Sequence, residues 1–87
     1  MSWTAYAVEW TPASQRDLRA LEAALVRRLI QAVKRYAETG DGDIKKLQGV
    51  EREWRLRVGD WRVLFTLDQA AHMLSVLRVL PRGGPYK

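Results

Sequence analysis

The chain has 87 residues, 47% of them hydrophobic, with 15 Lys+Arg against 10 Asp+Glu and a formal net charge of +5. This length suits a single domain spanning residues 1–87, and the apolar share is that of a folded protein rather than a disordered one. With no cysteine there are no disulfides or thiolate metal sites, and no run approaches the ~18 apolar residues of a membrane span, so a cytoplasmic protein without membrane contact is expected.

Residues 6–10 read as a strand, with Tyr6, Val8 and Trp10 on one face and Ala7 and Glu9 on the other. Thr11 then offers a helix cap, and Pro12 fits the first helical position, where its missing N–H costs nothing. Leu18, Leu21, Leu25, Leu29, Ala32 and Val33 follow at helical spacing, interleaved with Arg16, Arg19, Arg27, Arg28, Lys34 and Arg35. The spacing predicts two helices, about 12–20 and 22–38, and is equally compatible with one continuous helix.

Gly40 suits a left-handed helix end in the turn-rich stretch 39–43. Residues 44–49 read as a loop or short extended segment. Three strands are then predicted at about 52–58, 61–67 and 73–80, joined at Gly59-Asp60 and across residues 68–71. The expected fold is α+β: two N-terminal helices packed on a small, mainly antiparallel four-stranded sheet, in the order β-α-α-β-β-β.

Trp54, Leu56 and Val58 alternate with Arg55 and Arg57, and Trp61, Val63 and Phe65 alternate with Arg62, Leu64 and Thr66. On the last strand the parity groups Leu74, Val76, Arg78 and Leu80 opposite Ser75, Leu77, Val79 and Pro81, so both of its faces look apolar over part of its length. Arg55, Arg57, Arg62 and Arg82 compose a candidate phosphate cluster, because guanidinium is a permanently charged fork that matches phosphate oxygens. The competing reading is solvated arginines whose aliphatic stems lie over tryptophan. Lys45 and Lys46 read most simply as solvated charges, and His72 as a surface residue in a turn. Trp10, Trp54 and Trp61 fall on the apolar alternation and belong to the core, whereas the pattern leaves Trp3 undecided. A single histidine and no cysteine argue against zinc, and no phosphate loop, nucleophile elbow or carboxylate pair is present.

The element order, the stretch Ser14–Leu21, the segment Lys46-Leu47-Gln48-Gly49, the hairpin Trp54–Phe65 and the ending Val79-Leu80-Pro81-Arg82…Tyr86 together resemble the RelE/ParE superfamily of toxin–antitoxin systems. The resemblance spans nearly the whole chain, and its most specific piece is the hairpin. It implies a ribosome-dependent endoribonuclease that cleaves messenger RNA in the A site, driving a 2′-hydroxyl onto the adjacent phosphate without metal or cofactor. It further implies that Arg62 and Arg82 stabilise the transition state, that Tyr86 orients or activates the attacking nucleotide, and that Lys45, Lys46, Arg55, Arg57 and Lys87 bind RNA or ribosome. The implied partners are ribosome, messenger RNA and a cognate antitoxin, acidic and wrapped around the toxin. Pro81 stands where many ribonuclease members carry histidine. Two alternatives share these features: a ParE-like gyrase inhibitor without RNA chemistry, and a non-catalytic basic RNA-binding module.

Overall fold

The computed structural model of the chain describes residues 3–47 and 53–81. Its elements are β1 (Ala7–Trp10), α1 (Pro12–Arg19), α2 (Ala23–Thr39), β2 (Asp43–Lys46), β3 (Glu53–Val58), β4 (Trp61–Asp68) and β5 (Met73–Pro81). The sheet is five-stranded, in the order β1-β5-β4-β3-β2. All neighbours are antiparallel except β1, which runs parallel to β5. The class is the expected α+β, but the sheet has one more strand than predicted. The extra strand is β2, which lies in the stretch expected to be loop or short extended segment, and it forms because Ile44 pairs with Leu56 on the apolar face.

Local chemistry sets the helix ends. Thr11 is the N-cap of α1, its Oγ1 accepting from the Ser14 N–H at 3.2 Å and donating to the Val76 carbonyl at 2.8 Å. One hydroxyl thus starts the helix and ties it to β5. Ser14 is fully buried, yet its own hydroxyl donates to the Thr11 carbonyl at 2.8 Å, so no polar group is orphaned there. The helical text resolves into two helices, with a break at residues 20–22. At the end of α2, Gly40 takes φ +78 and returns its N–H to the Tyr36 carbonyl at 2.8 Å. Trp3 packs on that glycine: a Cβ at position 40 would come within 2.7 Å of its ring, and its Nε1 donates to the Ala37 carbonyl at 3.0 Å.

One face of α2, made by Leu29, Val33, Tyr36 and Ala37, forms the core with Leu56, Val58, Val63, Phe65, Leu74, Val76 and Val79. Burying each large aliphatic side chain stabilises the fold by about 1.5–3 kcal/mol. Trp10, Trp54 and Trp61 pack against this core, as their alternation predicts.

The straight parity of the last strand does not survive. Leu64 pairs with Arg78 and Phe65 with Val76, so Leu77 is an extra residue, a β-bulge. Leu74 and Val76 face the core before it, and Val79 does so after it, with Arg78 turned away from the core. That bulge is why the strand reads as apolar on both faces.

β1 covers only the first part of the β5 edge. Beyond it α1 takes over, and Asp17 accepts the Val79 N–H at 2.8 Å, a donor that a longer β1 would have paired. The same carboxylate accepts Arg78 Nε at 2.8 Å and Nη2 at 3.1 Å. A helix side chain thereby closes a strand edge that would otherwise expose unpaired backbone.

Candidate nucleic-acid interface

The hairpin turn fixes which arginines face each other. Gly59 has φ +59 and Asp60 a negative φ, the combination of a two-residue type II′ turn with glycine first. Such a turn closes on Val58 and Trp61, so the next pair is Arg57 opposite Arg62. One rung on, past Leu56 and Val63, Arg55 stands opposite Leu64, and on its other side β2 sets Lys45 opposite Arg55 and Asp43 opposite Arg57. Lys45, Arg55, Arg57 and Arg62 therefore share the face turned away from the core.

Two pairs of like charge, Arg57–Arg62 and Lys45–Arg55, meet directly across strands, where Cβ atoms lie roughly 4.5–5.5 Å apart and like charges destabilise a sheet. Ion pairs among the described residues lie elsewhere, between Arg35 and Asp41 at 2.6 Å and between Arg78 and Asp17. Arg55 Nε is buried with no hydrogen-bond partner among the described residues. Beside it Leu64 is only 4% exposed, although it belongs to this outer face. Arg57 and Lys45 are exposed, whereas Arg55 and Arg62 are half-buried. Where a guanidinium nitrogen is shielded from water, as Arg55 Nε is, its attraction for an anion is stronger.

The structure does not bring every predicted site residue here. Lys46 follows Lys45 and so points the other way, its Nζ 5.9 Å from the centre of the Trp54 ring. Arg82, Tyr86 and Lys87 lie outside the described residues. His72 is exposed at the β4–β5 turn with φ +50, the surface position expected, with its ring 5.7 Å from that of Tyr6. Trp3 proves to be a packing residue, against Tyr6, Tyr36 and Gly40.

Two cations have places that parity along the strands did not reveal. Arg78 is bound to Asp17, whose carboxyl is held below its ordinary range: burial opposes the charged form, but hydrogen bonds from Arg78 and the Val79 N–H outweigh it. Arg28 reaches from α2 to the hairpin turn, its Nη2 2.9 Å from where a Cβ on Gly59 would stand.

Two helices on a mixed five-stranded sheet are also the fold of several solved structures. In three solved structures the likeness covers most of both chains. For the toxin–antitoxin complex RelBE2 of Mycobacterium tuberculosis the TM-score is 0.79 at 23% identity, over 90% of this chain and 92% of the other. For the RelE–RelB complex of Pyrococcus horikoshii it is 0.77 at 24% identity, over 93% and 99%. For a mutant Escherichia coli RelE toxin in the free state it is 0.78 at 14% identity, over 94% and 88%. At these identities the likeness establishes the fold. No curated relative matches the chain by sequence. Residues 8–86 match the family described as ParE toxin of type II toxin–antitoxin system, parDE. The chain belongs to that family, within the RelE/ParE superfamily, and is a toxin of a type II toxin–antitoxin system.

Proposed function

We propose that this toxin is a cytoplasmic ribonuclease that cleaves messenger RNA in the ribosomal A site, with the outer face of β2, β3 and β4 as its RNA-binding surface. The observation that carries the reading is the register. Opposite charges across strands stabilise a sheet, yet on this face only Asp43 opposite Arg57 follows that rule among the described charged pairs, while Arg57 faces Arg62 and Lys45 faces Arg55. Repulsion of this kind is relieved when a phosphate lies between the groups.

In the reaction the 2′-oxygen attacks the adjacent phosphorus, its proton passes to a base, and the bond to the 5′-oxygen breaks as that oxygen takes up a proton. The products are a 2′,3′-cyclic phosphate and a 5′-hydroxyl. Arg62 and Arg57 hold the phosphate and neutralise the charge that builds on its oxygens in the transition state. Guanidinium stays protonated and cannot act as the base. In this reading Tyr86 supplies proton transfer or orients the nucleotide, Arg82 adds a second charge to the phosphate, and Lys45 and Lys87 hold the RNA strand. A cognate antitoxin, acidic and wrapped over the basic face, silences the toxin. The relatives in Mycobacterium tuberculosis and Pyrococcus horikoshii were solved as toxin–antitoxin complexes, which supports that partner.

A second reading has its own observation: the family matched is described as ParE toxin, and the resemblance to that branch implies poisoning of DNA gyrase without RNA chemistry. Primer extension on a defined messenger in a reconstituted translation system, run beside a gyrase supercoiling assay, separates the two. The nuclease reading expects cuts in the A-site codon that disappear in Arg62→Ala and Arg82→Ala, with both variants folded and still bound by antitoxin. An uncut messenger together with inhibited gyrase would transfer the function to the ParE type.

A further inference from the structure

The α2 arginines are left over once the sheet arginines have been given a task, and one of them is placed unlike the rest. Arg28 lies across the β3–β4 turn. From the position a Gly59 Cβ would occupy, its Nη2 is 2.9 Å away, Cζ 3.4 Å and Nη1 3.5 Å, so the whole guanidinium rests on the turn. The turn leads, one rung beyond its closing pair, to Arg57 and Arg62. Arg28 is exposed and forms no ion pair with any described residue. Asp60 lies in the turn itself and Asp43 opposite Arg57, and neither is ion-paired with these arginines among the described residues.

From this juxtaposition we propose that the anion-binding surface does not end at the edge of the sheet. It continues round the β3–β4 turn to Arg28, forming a belt that follows the sugar-phosphate backbone of a nucleic acid strand from the outer sheet face towards α2. The inference rests on the nucleic-acid reading of that face given above.

The chemistry favours a phosphate backbone over an acidic protein. Protein interfaces are built round an apolar, aromatic-rich centre depleted of charge. Here the turn offers Gly59 and Asp60 between guanidinium groups, with no large apolar side chain exposed on it. A belt of separate forks suits successive phosphates, each bound through two N–H donors. Gly59 acquires a second role beyond the turn geometry, since any side chain there would push the Arg28 guanidinium away.

The test is a salt titration. A short fluorescein-labelled single-stranded RNA is bound by the full chain at salt from about 50 to 200 mM, and the logarithm of the association constant is plotted against that of the salt concentration. Each phosphate that is no longer neutralised lowers the slope by about 0.7 for a single strand. Arg28→Gln is expected to lower it by about that much and Arg28→Lys by less, with melting temperatures unchanged. Arg19→Gln, which removes the same charge from α1, is expected to leave the slope as it was. An Arg28→Gln slope equal to wild type would overturn the belt, even where wild type cuts messenger on the ribosome. A loss of affinity for polyglutamate alone, with RNA binding intact, would overturn it in favour of an acidic protein. Wild type that shows the expected slopes but leaves ribosome-bound messenger uncut would sustain the belt and remove the nuclease.

Discussion

Asp17→Ala removes the side chain that closes the β5 edge, and its effect can be worked out from the atoms it leaves behind. In the wild type one carboxylate oxygen accepts both the Val79 N–H and Arg78 Nε, each at 2.8 Å. Val79 is 3% exposed, so its N–H has little access to water once the carboxylate has gone. Leaving a buried donor unpaired costs about 1–3 kcal/mol. Arg78 is half-exposed and returns to solvent, so the orphaned N–H dominates. The expected loss is about 2 kcal/mol, or roughly 8–16 °C in melting temperature for a domain of this size. Asp17→Asn keeps an oxygen that can accept the N–H and is expected to lose less than half as much. Arg78→Ala, which leaves Val79 paired, should also fall well short of Asp17→Ala. The pH dependence has a definite sign. Burial pushes the Asp17 carboxyl up, but hydrogen bonds from Arg78 and Val79 pull it below its ordinary value of 3.8, aided by the charges of Arg78 and Arg16. A depressed carboxyl stabilises the fold above its unfolded value, and that contribution fades as pH falls through the lower folded value. Urea unfolding of wild type and Asp17→Asn, at neutral pH and then in steps below 3.8, should therefore show their difference shrinking in acid. If Ala and Asn were equally destabilised, or their gap to wild type were flat with pH, the edge-closing role would be refuted.

Arg62→Glu sets an opposite charge across from Arg57, with the uncharged Leu80 on its other side, and should raise unfolding stability by roughly 0.2–1 kcal/mol while abolishing RNA binding. A variant both less stable and fully RNA-binding would remove the cross-strand repulsion from the account. Gly40→Ala must place a side chain at φ +78 and displace the Trp3 ring from 2.7 Å, at a cost of about 1–2 kcal/mol for the backbone alone. Chemical denaturation measures the loss, and a changed near-ultraviolet dichroism from the tryptophans should accompany it.

The parts of the fold legible in the sequence are those settled within a few residues. Thr11-Pro12, Gly40 and Gly59-Asp60 each specify a backbone conformation through their own chemistry, and the structure has a cap, a left-handed helix end and a tight turn at those places. The Arg57–Arg62 pairing follows from that two-residue turn in the structure, one rung beyond the closing pair Val58–Trp61. β2 was not legible because Asp43–Lys46 holds one apolar residue, too few to show alternation; its partner β3 makes it a strand. The bulge at Leu77 escaped for another reason. One extra residue reverses the parity of everything after it, so counting straight through grouped Arg78 and Leu80 with Leu74 and Val76. The candidate site was legible as a set of arginines on one face, but the placement of Arg28 on Gly59 depends on how a helix crosses a sheet, which no local pattern encodes.

The order β1-β5-β4-β3-β2 also bears on how the toxin comes into being. β5, the latest of these strands in the chain, lies inside the sheet, and β1 has no neighbour there until β5 arrives. Their pairing joins residues as far apart as Glu9 and Ser75, 66 positions along the chain. Pairings of such separation carry the largest loop-closure entropy and form slowly. During synthesis the β3–β4 hairpin, with its arginines, can therefore zip before β1 and α1 have a sheet to dock on. A nascent chain that has not yet delivered β5 lacks the strand that receives both. Docking of β1 and α1, and with it completion of the domain, is deferred until synthesis has passed that strand, whereas the hairpin arginines can be set in register before it.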